Sequence, residues 1–293
     1  VTTPAETPGA PERAGRRRHV SLVGIGAGDP AHLTVQAVEA LRGAAFTLVT
    51  VKREGDPLAD ARRTILETYA PDVPVVEVID PERDRSDAST ATTSGYEHVV
   101  VDWHEARAAA WEAALADGWA AHGTAPSPDL LTSPPSAAVE RVASSANLGT
   151  AALLVWGDPA FYDSTIRVVE KVLARGELEF VWDVLPGISA LQLLAARHRI
   201  VLHEVGQPIT VTTARRLDEA VASGADNVLV MLTARLDLAG LDDWQVWWGA
   251  NLGTDTEALV AGRVADVRDE LDRTRAAVKD DAGWVMDVYL LRR

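Results

Sequence analysis

Three times in this sequence a short run of aliphatic, strand-forming residues ends abruptly in a glycine-bearing bend: Gly24-Ile25-Gly26-Ala27-Gly28-Asp29-Pro30, Trp156-Gly157-Asp158-Pro159 and Leu185-Pro186-Gly187-Ile188-Ser189-Ala190. Glycine permits positive φ and lets a ligand or a second backbone approach the main chain closely. A bend of this kind at the exit of a strand is where open α/β sheets bind their ligands. The runs Val20–Gly24, Phe46–Val51, Val73–Ile79, Ala152–Trp156 and Phe180–Leu185 read as strands, and Leu33 to Leu41 and Ser189 to Arg197 carry helical spacing. Strands alternating with helices predict a doubly wound parallel sheet, whose exits all fall on one edge. The three bends are therefore expected to converge on one site.

Beyond Arg197 the strand signals crowd together, at Ile209–Thr213, Val228–Leu232, Gln245–Trp248, Ala258–Val264 and Trp284–Leu290, with fewer long helices between them. That spacing predicts a second, smaller α/β domain with some antiparallel pairing. The expected division is a disordered tail over 1–18, which has no apolar period, an N-terminal α/β domain over 19–203 and a C-terminal α/β domain over 204–293. Trp103 to Trp119 reads as helical fragments, and the Pro/Ser/Thr-rich stretch Gly123 to Pro135 as an exposed loop. Trp244, Trp247 and Trp248 read as core and interdomain packing.

Composition removes several function classes. The chain of 293 residues has no cysteine, so disulfides, thiolate metal sites and cysteine nucleophiles are excluded, and a reducing cytoplasm suits it. A formal charge of −15 from 28 basic and 43 acidic residues repels polyanions, which argues against nucleic acid as a partner. Only Lys52, Lys171 and Lys279 of the basic residues are lysine; the rest are arginine. No apolar run reaches the 18 or so residues of a membrane span. Arg16-Arg17-Arg18 precedes an apolar run that glycine breaks and Asp29-Pro30 ends, which reads as a first strand and not as an export signal.

The bends fit no common catalytic motif. The first has Asp29 where a dinucleotide fingerprint needs glycine, and lacks the Lys-Ser/Thr of a phosphate-binding loop. Gly187-Ile188-Ser189 resembles part of a nucleophile elbow, but Leu191 stands at its last glycine, and the last histidine, His203, comes too soon after Ser189 for a hydrolase triad. Asp102, His104 and Glu105 lack metal-ligand spacing, and no metal is expected. The basic clusters Arg197-His198-Arg199 and Arg215-Arg216 are equally consistent with surface charge and with carboxylate binding.

The order Gly24-x-Gly26-x-Gly28-Asp29-Pro30-x-x-Leu33-Thr34, then Gly157-Asp158-Pro159, then Pro186-Gly187-Ile188-Ser189-Ala190 resembles the tetrapyrrole (corrin/porphyrin) methylases. The resemblance runs from about residue 19 to the C-terminus. It implies a two-domain fold with the active site in the interdomain cleft, S-adenosylmethionine as the methyl donor with S-adenosylhomocysteine as by-product, a tetrapyrrole substrate, and a homodimer. The block Val155 to Thr165, the run Ala195 to Ile200, the segment Trp248 to Thr254 and the ending Gly283 to Arg293 resemble most the members of cobalamin biosynthesis that methylate precorrin-5 at ring carbon 1 with loss of acetate. A methylase acting at another ring position and a non-catalytic tetrapyrrole carrier are the alternatives; turnover of the methyl donor separates the carrier, and product mass the other methylase.

Carried over position by position, the resemblance implies that Trp156, Gly157, Asp158, Phe161, Ser189, Ala190, Met231 and Ala250 hold the cofactor, and that Gly26 and Gly28 face the tetrapyrrole. Ala27, Trp156 and Ser189 stand where the family commonly has Pro, Gly and Thr. Gly123 to Asn147 matches no part of the pattern. Methyl transfer from a sulfonium needs alignment more than a protein nucleophile, whereas removing an acetyl group calls for a positioned acid or base. Asp29, Tyr162, Asp163 and His104 are the candidates for that role, and Arg197, Arg199, Arg215 and Arg216 for the substrate's carboxylates.

Overall fold

A computed structural model describes residues 18–52, 55–81, 93–123 and 149–293, with side chains in the 93–123 segment from Trp103 onward. Residues 1–17 of the expected tail and most of the Pro/Ser/Thr-rich stretch lie outside the described residues. The first sheet contains β1 (His19–Gly24), β2 (Phe46–Val51), β3 (Val75–Ile79), β4 (Thr150–Val155) and β5 (Val181–Leu185) in the order β3-β2-β4-β1-β5, every pair parallel. Strand β1, between β4 and β5, is buried from Val20 to Gly24, which is why it reads as an apolar run interrupted only by Ser21.

The period of two along β1 divides the core into two layers. Val20 and Leu22 pack with Phe46, Leu48 and Leu153 against α3 (Thr93–His122) and α4 (Thr165–Arg175). Val23 packs with Val49 and Leu154 against α1 (Val35–Gly43) and α2 (Pro57–Tyr69). The fragments anticipated between Trp103 and Trp119 are one helix of 30 residues, whose Ala108, Trp111, Leu115 and Trp119 recur at helical spacing on the sheet. Helix starts follow side-chain chemistry: Thr34 caps α1, Asp56 with Pro57 starts α2, and Ser189 with Gln192 forms a capping box on α5 (Ala190–His198).

The second sheet is mixed. Strands β6 (Thr210–Thr213), β7 (Asn227–Met231), β8 (Gln245–Ala250), β9 (Ala258–Arg263) and β10 (Asp287–Arg292) lie in the order β6-β7-β10-β8-β9, with β6 and β7 parallel and the rest antiparallel. One face, with Trp248 and Tyr289, is covered by α6 (Leu217–Ala222) and α7 (Val264–Ala282). Helix α7 has 19 residues, longer than the spacing suggested. Its buried Val264, Val267, Leu271 and Val278 are scattered among charged residues, so the helix leaves only a sparse apolar signal.

Helix α5 closes the gap between the sheets. Leu191, Leu193 and Leu194 are buried with Leu229, Val288 and Leu290 of the second sheet and with Ala27 of the first bend. The helix thus follows the first sheet in sequence and packs on the second. The link 199–209 leads from it to β6, and residue 204 falls inside that link.

Candidate active site

The three bends are fastened to one another. Gly26 and Gly157 form a two-way bridge, Gly26 N–H to the Gly157 oxygen at 3.2 Å and Gly157 N–H to the Gly26 oxygen at 2.7 Å. Asp158 accepts from the Ala160 amide at 2.8 Å and from the Gly187 amide at 3.0 Å, tying the second bend to the third. A Cβ on Gly187 would land on the Gly157 carbonyl oxygen, and one on Gly24 would come within 2.5 Å of the Gly187 nitrogen. Glycine is thus required here by backbone contact between neighbouring strand exits.

Beside this junction a cavity of about 330 Å³ opens between the sheets. Ala27, Trp156, Gly157, Asp158, Phe161, Ser189 and Ala190 form its wall on the first-sheet side. Met231, Leu232, Asn251, Leu252, Met286 and Val288 form the facing wall. Tyr162, Leu232 and Asn251 all line it with left-handed backbones, at φ 52°, 55° and 47°. Non-glycine residues pay a steric penalty there, and such positions persist where surrounding contacts fix them. For Asn251 the contacts are visible: its Oδ1 accepts from the Met286 amide at 2.8 Å, its own amide donates to the Met286 oxygen at 2.9 Å, and its Nδ2 donates to Thr256 Oγ1 at 3.0 Å. Tyr162 reaches across the cleft and donates to the Val211 oxygen at 3.3 Å.

One end of the cavity is charged. Lys52, Asp56, Arg62, Asp80, Arg107 and Asp163 line it, from the exits of β2, β3 and β4 and from α2 and α3. Asp56 accepts from the Leu58 and Lys52 amides. Arg62 is buried and donates to the Leu154 oxygen at 3.1 Å and the Leu58 oxygen at 2.9 Å; burial lowers its pKa from the ordinary arginine value, opposed by Asp56 and Asp163. Arg107 is ion-paired with Asp80 and donates to Ser164 Oγ at 2.6 Å. Its guanidinium carbon lies 4.6 Å from the Trp103 ring centroid and 5.0 Å from that of Trp111.

The structure brings some of the anticipated residues together and leaves others apart. Trp156, Gly157, Asp158, Phe161, Ser189, Ala190, Met231, Tyr162 and Asp163 share the cavity wall. Ala250 is fully buried in β8, one residue before the lining Asn251. Gly26 sits in the bridge with Gly157, and a Cβ on Gly28 would come 2.9 Å from Trp156; Ala27 between them lines the cavity. Asp29 caps the short turn Pro30–His32, accepting from the Ala31 amide at 2.8 Å, outside the wall. His104 is buried beside Trp103, ring centroids 5.2 Å apart, also outside the wall.

Nor do the four arginines line the cavity. Arg197 binds Glu257 at 2.7 Å, whose other oxygen accepts from the Gly253 amide; Arg199 is the left-handed cap of α5; Arg216 pairs with Glu219 beside Arg215 in the turn Ala214–Arg216. The cations in the wall are instead Lys52, Arg62 and Arg107. Lys52 and Asp80 stand directly after strands β2 and β3, at the sheet edge where open α/β sheets bind their ligands. Arg107, in mid-helix, carries no such signal. The side chain of Asp102 is outside those described, and no group of metal-ligating side chains occurs among the described residues. No helix among them is long and apolar enough to cross a membrane.

Comparison with known proteins follows the same geometry. A model of the family described as Tetrapyrrole (Corrin/Porphyrin) Methylases matches residues 19–268. A protein of Sinorhizobium sp named precorrin-6A synthase [deacetylating] is 40% identical over 281 residues, covering 94% of this chain and 95% of that one. The crystal structure of a cobalamin synthesis related protein (CobF) from Corynebacterium diphtheriae superposes with a TM-score of 0.72 at 31% identity, covering 94% of this chain and 98% of the other. A cobalt precorrin-4 methyltransferase, CbiF, shares the fold with a TM-score of 0.54 at 13% identity, covering 94% of each chain.

Proposed function

We propose that this chain, which belongs to the tetrapyrrole (corrin/porphyrin) methylases, is an S-adenosylmethionine-dependent C-methyltransferase of cobalamin biosynthesis that methylates precorrin-5 at ring carbon 1 and releases the acetyl group as acetate. Its similarity to the deacetylating Sinorhizobium enzyme and to CobF supports the reaction. The observation that carries it is that the strand-exit bends and the second sheet meet around one cavity, with Gly157, Ser189 and Met231 in one wall system.

The residues present fit the cofactor. Met231, Leu232, Leu252 and Met286 offer apolar contact for a nucleoside. Helix α5 opens on the cavity at Ser189 and Ala190, and the positive end of its dipole suits a carboxylate. Gly157 leaves its backbone open to close approach, since a Cβ there would meet only the Ser189 Cα, at 4.0 Å. Trp156, Asp158, Phe161 and Ala190 complete the cofactor wall, and the buried Ala250 immediately precedes Asn251 in the chain. When bound, S-adenosylmethionine supplies a methyl group already activated on sulfur. The chain's own work is to align the ring carbon and exclude water from the sulfonium.

Removing the acetyl group needs a proton acceptor for the attacking water. Asp163 fills that role in our reading: it lines the cavity, and one carboxylate oxygen is held by the Thr165 amide at 2.6 Å. Tyr162 orients the substrate across the cleft. Lys52, at the charged end of the cavity, takes the substrate's carboxylates, the role first expected of the arginines at 197, 199, 215 and 216, which lie outside the wall. We also place the protein in the cytoplasm as a homodimer; sedimentation of the full chain reads the oligomeric state.

The test is incubation of the full chain with precorrin-5 and methyl-labelled S-adenosylmethionine. The expected result is one labelled methyl gained and one acetate released per turnover. A methylated product that keeps its acetyl group would assign the chain to another ring position.

A further inference from the structure

The geometry points to Arg107 as the group that stabilises the negative charge formed when water attacks the acetyl carbonyl, an inference that rests on the deacetylating reading above. Three features of the guanidinium carry it. It is fixed: Trp103 and Trp111 stack on it, Asp80 pairs with it, and Ser164 Oγ accepts from Nη1 at 2.6 Å. Arg107 is only 8% exposed and lines the cavity, so a charge presented there is little screened by water. Among the described residues, no acceptor takes a hydrogen bond from Nη2, although Nε faces Asp80 and Nη1 is engaged.

That remaining donor decides what the residue binds. A carboxylate side chain of a tetrapyrrole is held best by two parallel N–H bonds from one edge of a free guanidinium. Arg107 has both edges partly committed and offers a single nitrogen, which matches a single oxygen. A rigid donor that needs no reorganisation is the arrangement that stabilises oxyanions. The proton acceptor Asp163 lines the same cavity, and the residue after it, Ser164, holds Arg107.

The step balances with groups already named. Water oxygen bonds to the acetyl carbon as Asp163 takes a water proton, and the carbonyl π pair moves onto the oxygen facing Nη2. The pair then returns and the bond from the ring carbon to the acetyl carbon breaks. Acetic acid leaves, giving acetate and a proton. The pair left on the ring is the one that forms the new bond to the methyl group.

The test uses the full chain with precorrin-5 and S-adenosylmethionine, comparing wild type, Arg107→Lys, and the double variant Arg107→Gln with Asp80→Asn. The double change avoids leaving an unpaired buried carboxylate, and a thermal melt with S-adenosylhomocysteine titration checks that it folds. The expected result is a fall of about 100-fold in kcat for acetate release, with KM for precorrin-5 and S-adenosylhomocysteine affinity kept, and part of the rate restored in Arg107→Lys. Unchanged acetate release overturns the assignment. So does a rise in KM with kcat kept, which marks a carboxylate anchor, or loss of folding and of both ligands in both variants, which marks a structural residue. A wild-type chain that binds S-adenosylhomocysteine but releases no acetate overturns the deacetylating reading itself.

Discussion

Leu232 shows how single residues are arranged around the cavity. Its backbone is left-handed at φ 55° and the residue is 56% exposed, so it bears a steric penalty with little burial in return. Leu232→Gly is expected to stabilise the fold by about 1 kcal/mol while weakening S-adenosylhomocysteine binding, read by denaturant unfolding and calorimetry. Asn251→Ala has the opposite expectation for stability. It removes the acceptor of the partly buried Met286 amide and leaves an alanine at φ 47°, a loss of about 2 kcal/mol with reduced cofactor affinity. The sequence brought neither residue forward. A positive φ at glycine announces itself, whereas at leucine or asparagine it depends on contacts 35 residues away, as between Asn251 and Met286.

At the scale of elements, the junction of the bends makes a paired prediction. In Gly187→Ala the new methyl meets the Gly157 carbonyl, so the second and third bends must part; S-adenosylhomocysteine affinity should fall at least tenfold. Gly176 has φ 78° but open space around it, so Gly176→Ala should cost about 1 kcal/mol of stability and leave affinity unchanged. Equal affinity losses in the two variants would contradict the convergence. The elements themselves were legible where burial makes sequence monotonous, as in β1, β2 and β4. They were obscure where one apolar stripe is enough, as in α7, whose core contacts are four residues among a majority of polar ones. The first-sheet side of the cavity was legible because it is built from glycine bends at strand exits. Of the charged end only Asp163 was, because Arg62 and Arg107 are ordinary helical residues until tertiary packing brings α2 and α3 over the sheet edge.

For the whole molecule, acidity has a defined effect. His19 begins β1 with its ring 3.6 Å from Asp183, and burial lowers its pKa below the ordinary 6.5, only partly opposed by that carboxylate. The unfolded chain therefore takes up the proton at a higher pH than the folded one. Stability is full above about pH 6.5 and declines as pH falls from there toward the lower folded-state value. His19→Gln should flatten that part of a stability profile measured by denaturant unfolding between pH 7 and 5; an unchanged slope would assign it to other groups.

The two sheets, packed through α5, act as a single site only if loops from both respond to one ligand. Hydrogen exchange of the full chain with and without S-adenosylhomocysteine tests this most directly. The account predicts that amides over 156–163 and 187–192 from the first sheet, and over 231–232 and 250–252 from the second, become protected together at one equivalent per chain. Protection confined to one sheet, or none at saturating ligand, would contradict it.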